Sequence, residues 1–264
     1  MKDVDFGKTA ADYGRHRAGF PDPFFERLLA AGFVKPGERG LDLGTGTGTI
    51  ARGLALRGCR IVGVDIADRL LEQARELDRI AGANVEYQVA PAEDTGQASA
   101  SVDFVIAGQC WHWFQSVAVA TEADRLLKSG GRLLIAYFDW LPLVDRAGRP
   151  NVVAVTEAMI RRHNPVWDMH GGNGFHAEYL ADLTRVGFRE IESFSFDWAA
   201  PYSHEAWRGR IRASAGVAAT LSPEQVAAFD LELADILVRD FPEQGGRPLE
   251  IPHRIWCAVA RKPH

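Results

Sequence analysis

The sequence predicts an α/β fold, namely a doubly wound, mostly parallel seven-stranded sheet with a helical cap or lid insertion. In the first half of the chain, apolar runs of strand length alternate with apolar residues at helical spacing. A glycine-rich turn, Leu41 to Gly48, joins the first of these runs to a helical pattern. The alternation breaks after Phe138, and we interpret residues 139–187 as the lid insertion of a single domain that spans residues 1–264.

Composition narrows the class of protein. The chain has 264 residues, 47% of them hydrophobic, and a formal net charge of -5, which is typical of a globular protein with a sizeable core. The acidic balance argues against nucleic acid as a partner. No run approaches the roughly 18 apolar residues of a membrane helix, so we expect no membrane partner. Cys59, Cys110 and Cys257 lack metal-site spacing and fit a reducing cytoplasm, while monomer and homodimer both stay open.

The first elements lead into the glycine-rich turn. Asp22 as N-cap, followed by Pro23, predicts a helix that ends before Gly32. The next apolar run ends at Leu43 and is predicted to form a buried strand.

The residues of the turn limit what it can bind. A dinucleotide fingerprint requires a third glycine where this chain has Thr49, and a phosphate loop requires a lysine that is absent. Asp42, at the strand end, would repel a pyrophosphate and attract a cationic amino group. The predicted ligand therefore carries positive charge near the glycines, although a turn without a ligand is the alternative.

A second apolar strand, residues 61–66, ends in Asp65, the position where such folds hold ribose hydroxyls. Together, the turn and Asp65 favour an adenosyl ligand and resemble motifs I and II of class I S-adenosylmethionine-dependent methyltransferases. The resemblance implies a Rossmann-like methyltransferase fold, S-adenosyl-L-methionine as cofactor and S-adenosyl-L-homocysteine as product. It also implies that Asp65 holds the ribose, Ile66 packs on adenine, and the methionine part contacts Asp42, Gly44, Thr45, Gly46 and Gly48.

Two further segments resemble cofactor-binding parts of that family. Residues 1–32 are predicted to form an arm and a helix over the cofactor, with Tyr13 and Arg17 as contacts; a solvated basic arm is the alternative. After a helix capped by Asp68 and a strand over residues 85–89, Ala92 and Glu93 match the family's adenine-edge loop, or else form a polar turn.

The loop after the next strand, residues 102–107, is predicted to face the transferred methyl group, because the carboxyl ends of parallel strands border the ligand crevice. In this loop Gln109 is a candidate cofactor contact, and Trp111, Trp113 and Phe114 are candidate pocket walls. His112 is the candidate general base, since the reference pKa of histidine, about 6.5, suits proton abstraction at neutral pH. The alternative is that His112 only bonds within an aromatic cluster.

The second half of the chain contains the remaining elements. We predict helices over residues 120–127, 152–163, 177–186 and 207–219, a helix begun by a capping box at Ser222, and strands over residues 132–137, 188–198 and 251–260. The stretch Ser129 to Gly131 is predicted to end the first of these helices. Family resemblance implies that the last strand pairs antiparallel at the edge of the sheet.

Two clusters of polar residues in this half have more than one interpretation. One cluster contains His163, Asp168, His170 and His176, whose spacing matches no metal-ligand pattern. We therefore predict a polar lid loop and no metal site. His170 is kept as a candidate residue of the substrate pocket. Arg208, Arg210 and Arg212 either bind a carboxylate or form a solvated helix face, and Arg212 is kept as a pocket candidate.

The functional prediction is methyl transfer from S-adenosylmethionine to a small-molecule acceptor. The tryptophan-rich loop and the N-terminal arm resemble the group that includes the ubiquinone/menaquinone and trans-aconitate methyltransferases. We expect O-methylation in a metabolite or natural-product pathway. The alternatives are C- or N-methylation, a rearrangement or cyclisation without methyl loss, and a regulatory module that binds the cofactor without chemistry.

Overall fold

The computed structural model describes residues 19–264, which separate into two compact units. The first, here called the sheet unit, contains residues 19–138, 175–196 and 255–264. The second, here called the helical unit, contains residues 139–174 and 197–254. The segment that we predicted as the lid is therefore divided, because residues 175–187 belong to the sheet unit. The assignment of one domain with a lid stays a prediction.

Seven strands form one sheet in the order β3-β2-β1-β4-β5-β7-β6. Their bounds are β1 Arg39–Leu43, β2 Arg60–Asp65, β3 Val85–Val89, β4 Val102–Gly108, β5 Leu127–Trp140, β6 Arg189–Tyr202 and β7 Leu249–Arg261. The pairs β1-β2, β2-β3, β1-β4 and β4-β5 are parallel. The order reverses direction between β1 and β4, and such a switch point is where doubly wound folds bind ligands. The predicted α/β fold with a mostly parallel seven-stranded sheet is confirmed.

The strand β7 runs against its neighbour β5. The backbone N–H of Lys262 donates to the carbonyl of Gly131, and the N–H of Leu141 donates to the carbonyl of Pro252, each at 2.8 Å. From the first bond to the second, the position on β5 rises by ten residues (131 to 141) and that on β7 falls by ten (262 to 252). This is the register of an antiparallel pair, so the sheet is mixed.

Eight α-helices lie among the described residues. Those of the sheet unit are α1 Asp22–Ala30, α2 Thr49–Ala55, α3 Asp68–Ala81, α4 Ser116–Leu126 and α6 Tyr179–Val186. Those of the helical unit are α5 Val152–His163, α7 His204–Arg212 and α8 Pro223–Asp240. The helix α8 begins with the predicted capping box at Ser222, and its apolar stripe buries Phe229, Leu233 and Leu237.

Two predicted N-caps were wrong by one residue. Pro21 and Ala67 are the N-caps of α1 and α3, and neither makes a side-chain capping bond. Asp22 and Asp68 are instead the first helical residues, where a carboxylate still interacts favourably with the helix dipole.

Two predicted boundaries in the second half were also wrong. The helix α7 begins at His204, because Ser203 caps it by accepting from the N–H of Ala206, and it ends at Arg212 rather than at residue 219. The stretch Ser129 to Gly131 lies inside β5, because α4 ends at Leu126 and the strand follows at once. The register with β4 shifts here, from Val102 beside Leu127 to Phe104 beside Arg132, and Gly130 has a φ of 71°. The two glycines therefore form an irregularity within the strand and do not end the helix.

The core of the sheet unit lies on the central strands. Leu41, Leu43, Val105 and Ile135 have no exposed surface, as expected for parallel strands covered on both faces. Within residues 19–264, no helix is long and apolar enough to cross a membrane.

Candidate functional site

The glycine loop, residues 44–48, connects β1 to α2 at the switch point. Gly44, Gly46 and Gly48 have φ angles of 60°, 55° and 75°, the left-handed region that favours glycine. A Cβ atom at Gly48 would lie 2.1 Å from the hydroxyl of Tyr87, whereas one at Gly46 would meet nothing within 4 Å. Gly48 is thus required by packing, while a side-chain atom at Gly46 would have room among residues 19–264.

Asp42 ties the start of the loop to helix α2. Its side chain is only 2% exposed. The oxygen Oδ2 accepts from the hydroxyl of Thr45 at 2.6 Å and from the backbone N–H of Ala51 at 3.2 Å. Burial raises the pKa of the carboxyl to about 7, although both hydrogen bonds act in the opposite direction. A cation bound beside Asp42 would favour its ionised form.

Asp65 ties the middle of the same loop to the end of β2. Oδ2 accepts from the backbone N–H of Gly46 and Oδ1 from that of Ala67, each at 2.9 Å. Burial raises the pKa of this carboxyl as well. Each carboxylate oxygen has two acceptor positions, so these bonds leave capacity for a ligand hydroxyl.

The surface beside Asp65 is apolar. Ile66 is 74% exposed and Val89 is 51% exposed. Val89 is the parallel partner of Asp65 at the end of the neighbouring strand. Exposed aliphatic side chains at adjacent strand ends provide a surface for a flat ring. In the following loop Ala92 is buried, and Oε1 of Glu93 accepts from the N–H of Gln115 at 3.1 Å.

The loop after β4 reaches the glycine loop. Gln109 has a φ of 61°, an uncommon conformation for a residue with a side chain, and its N–H donates to the carbonyl of Ala136 at 2.9 Å. The thiol of Cys110 donates to the carbonyl of Leu43 at 3.2 Å. A Cβ atom at Gly44 would be 3.0 Å from both Cys110 Sγ and the Phe114 ring. The structure therefore brings two separately predicted segments together.

His112 lies in a short 3-10 helix, Trp111–Trp113, and is an exposed residue. Its Nδ1 lies 2.9 Å from the hydroxyl oxygen of Tyr137, and its backbone N–H donates to the same oxygen at 3.2 Å. Tyr137 is a buried residue of β5, and burial raises the pKa of its hydroxyl, which is therefore protonated at neutral pH. A protonated, immobile hydroxyl thus holds the imidazole.

Two more rings complete this group, which we call the histidine–tyrosine cluster: His112, Tyr137, His176 and Tyr179. The Tyr137 hydroxyl donates to the Tyr179 hydroxyl at 3.4 Å, and its ring stacks on His176 with a centroid separation of 3.8 Å. Sequence reasoning did not find Tyr137 or Tyr179. The available signal was that Tyr137 is the last residue of the strand predicted over residues 132–137, which the structure places beside β4.

The aromatic neighbours of His112 differ in burial. Trp111 belongs to the core at 1% exposure, and its indole N–H donates to Asp182 at 3.3 Å. Trp113 is only partly buried, and its ring centroid lies 4.6 Å from that of His112. Trp111 anchors the short helix, and Trp113 is the tryptophan that borders the imidazole.

The remaining predicted site residues belong to the helical unit or lie outside the described residues. His170 and Arg212 belong to the helical unit, where Arg212 forms ion pairs with Asp230 at 2.8 Å and Glu205 at 2.9 Å. Tyr13 and Arg17 lie outside the described residues. Within residues 19–264, no group of three histidine, cysteine, aspartate or glutamate side chains is arranged to hold a metal ion.

Arg52 supports the glycine loop and was missed by sequence reasoning. Its guanidinium donates to the carbonyls of Thr47 at 2.8 Å and Ala74 at 3.3 Å, and it pairs with Asp78 at 2.7 Å. It therefore joins the loop to α3. No motif marks this residue, since its partners are backbone carbonyls and a distant acid.

Comparisons with known proteins identify the family of this chain. The family model described as "Methyltransferase domain" matches residues 41–135. An uncharacterised methyltransferase of Mycobacterium bovis is 33% identical over 178 residues, which are 62% of this chain and 70% of the relative. The chain belongs to the class I S-adenosylmethionine-dependent methyltransferases. The matched range of this methyltransferase includes both anchoring acids, Asp42 and Asp65, and ends just before Tyr137.

Two further proteins are similar to this chain over a larger share of its length. A ubiquinone biosynthesis O-methyltransferase of Xanthomonas campestris is 28% identical over 70% of this chain and 74% of the relative. A solved structure from Anaeromyxobacter dehalogenans, assigned as a type II methyltransferase, has a TM-score of 0.61 and 26% identity over 94% of this chain and 99% of that chain. S-adenosylmethionine is thus the cofactor that the family uses.

Proposed function

We propose that this methyltransferase moves the methyl group of S-adenosylmethionine to an oxygen atom of a small-molecule acceptor, with His112 as general base. The observation that carries the proposal is the imidazole of this exposed residue at the carboxyl end of β4, held through Nδ1 by the buried Tyr137. An oxygen nucleophile must lose a proton when it attacks the sulfonium methyl, and an oriented imidazole can accept it.

The proposed donor site is the edge formed by the ends of β1, β2 and β3. The glycine loop would hold the methionine part, whose amino group carries the charge that Asp42 attracts. Asp65 would accept from the ribose hydroxyls, and Ile66 would pack on the adenine ring. Further proposed contacts are Thr45, Ala92, Glu93 and Gln109, with Tyr13 and Arg17 from the part of the chain outside the described residues.

The hydrogen-bond donors and acceptors around Tyr137 support His112 as a base. Tyr137 has one hydroxyl proton, and the backbone N–H of His112 already donates to its oxygen. When the hydroxyl proton is donated to Tyr179, the remaining bond requires Nδ1–H of His112 to donate to Tyr137. In this tautomer Nε2 carries the lone pair and is the proton acceptor. Tyr137 is thus proposed as a positioning residue that selects the tautomer.

Oxygen is the proposed acceptor atom for two reasons. First, the O-methyltransferase of Xanthomonas campestris is similar in sequence to 70% of this chain. Second, an attacking hydroxyl must lose its proton, so a proton acceptor is needed for oxygen more than for a neutral amine. Trp113 and Phe114 would provide apolar walls that exclude water, with Trp111 behind them. The chemistry suits a metabolite or natural-product pathway.

The test compares Asp65→Ala with His112→Asn. Calorimetry with S-adenosylhomocysteine measures donor-site affinity, and transfer of label from methyl-labelled donor to a panel of hydroxylated small molecules measures turnover. We expect Asp65→Ala to weaken binding by roughly tenfold to a hundredfold, because a carboxylate that accepts several hydrogen bonds is lost. We expect His112→Asn to bind like the wild type and to lower turnover by about 100-fold or more.

Each arm has a contradicting outcome. Unchanged affinity in Asp65→Ala would refute the donor site, and equal turnover in His112→Asn would refute the base. Product formation without label transfer would instead support a rearrangement or cyclisation, and label on nitrogen or carbon would reassign the acceptor atom.

A further inference from the structure

The helical unit contains an arginine, Arg210, that forms no ion pair with an acid of residues 19–264. Helix α7 carries Arg208, Arg210 and Arg212. Asp230 pairs with the first and the third of these side chains. Among residues 19–264, no carboxylate forms an ion pair with Arg210, although the side chain is partly buried.

The guanidinium of Arg210 lies on an aromatic platform. It lies over the ring of Trp140, 4.7 Å from the ring centroid. The indole N–H of Trp140 donates to the buried Glu157 at 2.8 Å, and its ring meets Trp207 edge-on at 5.5 Å. Trp207 is itself fixed, since its N–H donates to Thr156 at 3.1 Å. The cation is thus held against a rigid wall.

The electrostatic surroundings of Arg210 include the carboxyl of Asp139 and the imidazole of His253. Burial lowers the pKa of its guanidinium, and the nearby Tyr202 and Asp139 oppose that effect. His253, also close by, donates from Nδ1 to the carbonyl of Ile251 at 2.8 Å, and burial lowers its pKa to about 4, so it is uncharged at neutral pH. A partly desolvated cation in such surroundings gains stability from an anionic ligand.

We propose that Arg210, Trp140 and Tyr202 form a binding site for the carboxylate of a flat small molecule. The guanidinium fork matches a carboxylate with two parallel hydrogen bonds, and the ring of the partly exposed Trp140 suits a planar body. A phosphate dianion would bring a second negative charge near Asp139, which disfavours it. The site lies wholly within the helical unit, and its existence does not depend on methyl transfer.

Titration of the full-length protein with benzoate, in the absence of methyl donor, tests the proposal by calorimetry. Benzamide is the uncharged analogue of the same shape, and inorganic phosphate is the competing anion. We expect saturable benzoate binding that weakens roughly tenfold to a hundredfold in Arg210→Gln, because a charge-assisted bond is lost. The control is Arg239→Gln, which removes an exposed ion pair with Asp240 and leaves benzoate affinity unchanged.

Several outcomes would overturn the site. The first is the absence of saturable benzoate binding below about 10 mM. The second is an equal benzoate affinity of Arg210→Gln and the wild type, and the third is an equal affinity of the wild type for benzoate and benzamide. If Arg210→Gln fails to fold, Arg210→Lys decides, since it keeps the charge and loses the fork; we expect an intermediate affinity. Failure of methyl transfer would leave these results unchanged, so the two proposals fail separately.

Discussion

The glycine loop and the histidine–tyrosine cluster lie at the same edge of the sheet but are held together differently. The loop is held by carboxylates close in sequence, since Asp42 bonds residues three and nine positions away and Asp65 bonds residues two and nineteen positions away. In the cluster, Tyr137 reaches back 25 residues to His112 and forward 42 to Tyr179. The proposed donor site is thus held by bonds that span at most nineteen residues, and the proposed base by bonds that span 25 and 42 residues.

The two regions also differ in how they respond to their surroundings. Burial raises the pKa of both anchoring acids of the loop, so its stability depends on pH. The cluster is joined by hydroxyl and imidazole groups and by ring stacking, so it depends on the position of single hydrogen bonds. Changes in the loop should alter stability and donor affinity, and changes in the cluster should alter turnover.

The largest effect is expected for Gly48→Ala. The left-handed backbone and the 2.1 Å approach to Tyr87 both oppose a Cβ atom. We expect a loss of about 4 kcal/mol of unfolding free energy in urea, the sum of backbone strain and overpacking. Gly82→Ala is the matched control, because Gly82 has a φ of 69° and open space around it. It should lose only about 1–2 kcal/mol, and equal losses would show that packing against Tyr87 contributes nothing.

A smaller effect, with a defined pH dependence, is expected for Asp42→Asn. Its folded pKa of about 7 lies above the ordinary value of 3.8, so the native state binds the proton more tightly and wild-type stability falls as pH rises between these values. Asparagine keeps an acceptor for Thr45 without the charge. Relative to the wild type, the variant should gain roughly 2–3 kcal/mol in urea unfolding between pH 5 and pH 8. A difference that does not vary with pH would contradict the raised pKa.

The smallest effect is expected for Tyr137→Phe, which removes the oxygen that holds His112. We expect kcat to fall by about tenfold with KM unchanged, and the acidic limb of the pH–rate profile to move to lower pH, because an acceptor that stabilises the imidazolium is lost. Nitrogen NMR should show that His112 no longer favours the Nδ1–H tautomer. Tyr179→Phe removes the acceptor of the Tyr137 hydroxyl proton but leaves Tyr137 in place, so we expect a smaller fall in kcat, of about threefold, and a weaker preference for the Nδ1–H tautomer. A kcat in Tyr137→Phe equal to that of the wild type would remove the positioning role from Tyr137.

Much of the sheet unit could be predicted because its signals are local. The strands β1 to β4, the glycine loop and the capping box of α8 follow from apolar runs, glycine positions and capping residues. One error arose at Ser129 to Gly131, because these residues accompany a register shift within β5 and do not end a helix. Tyr137 was missed because its place beside Gln109 follows from the β4-β5 register, in which Gly108 pairs with Ala136.

The sequence by itself determined the fold class and the glycine loop with Asp65, because left-handed glycines and strand-end acids express their preferences over a few residues. Only the tertiary structure decided that Tyr137 holds His112 and that Arg210 is the arginine of α7 without a contacting acid among the described residues. Those outcomes depend on strand register and on helix packing, which bring together residues that are distant in sequence and whose partners no local pattern specifies.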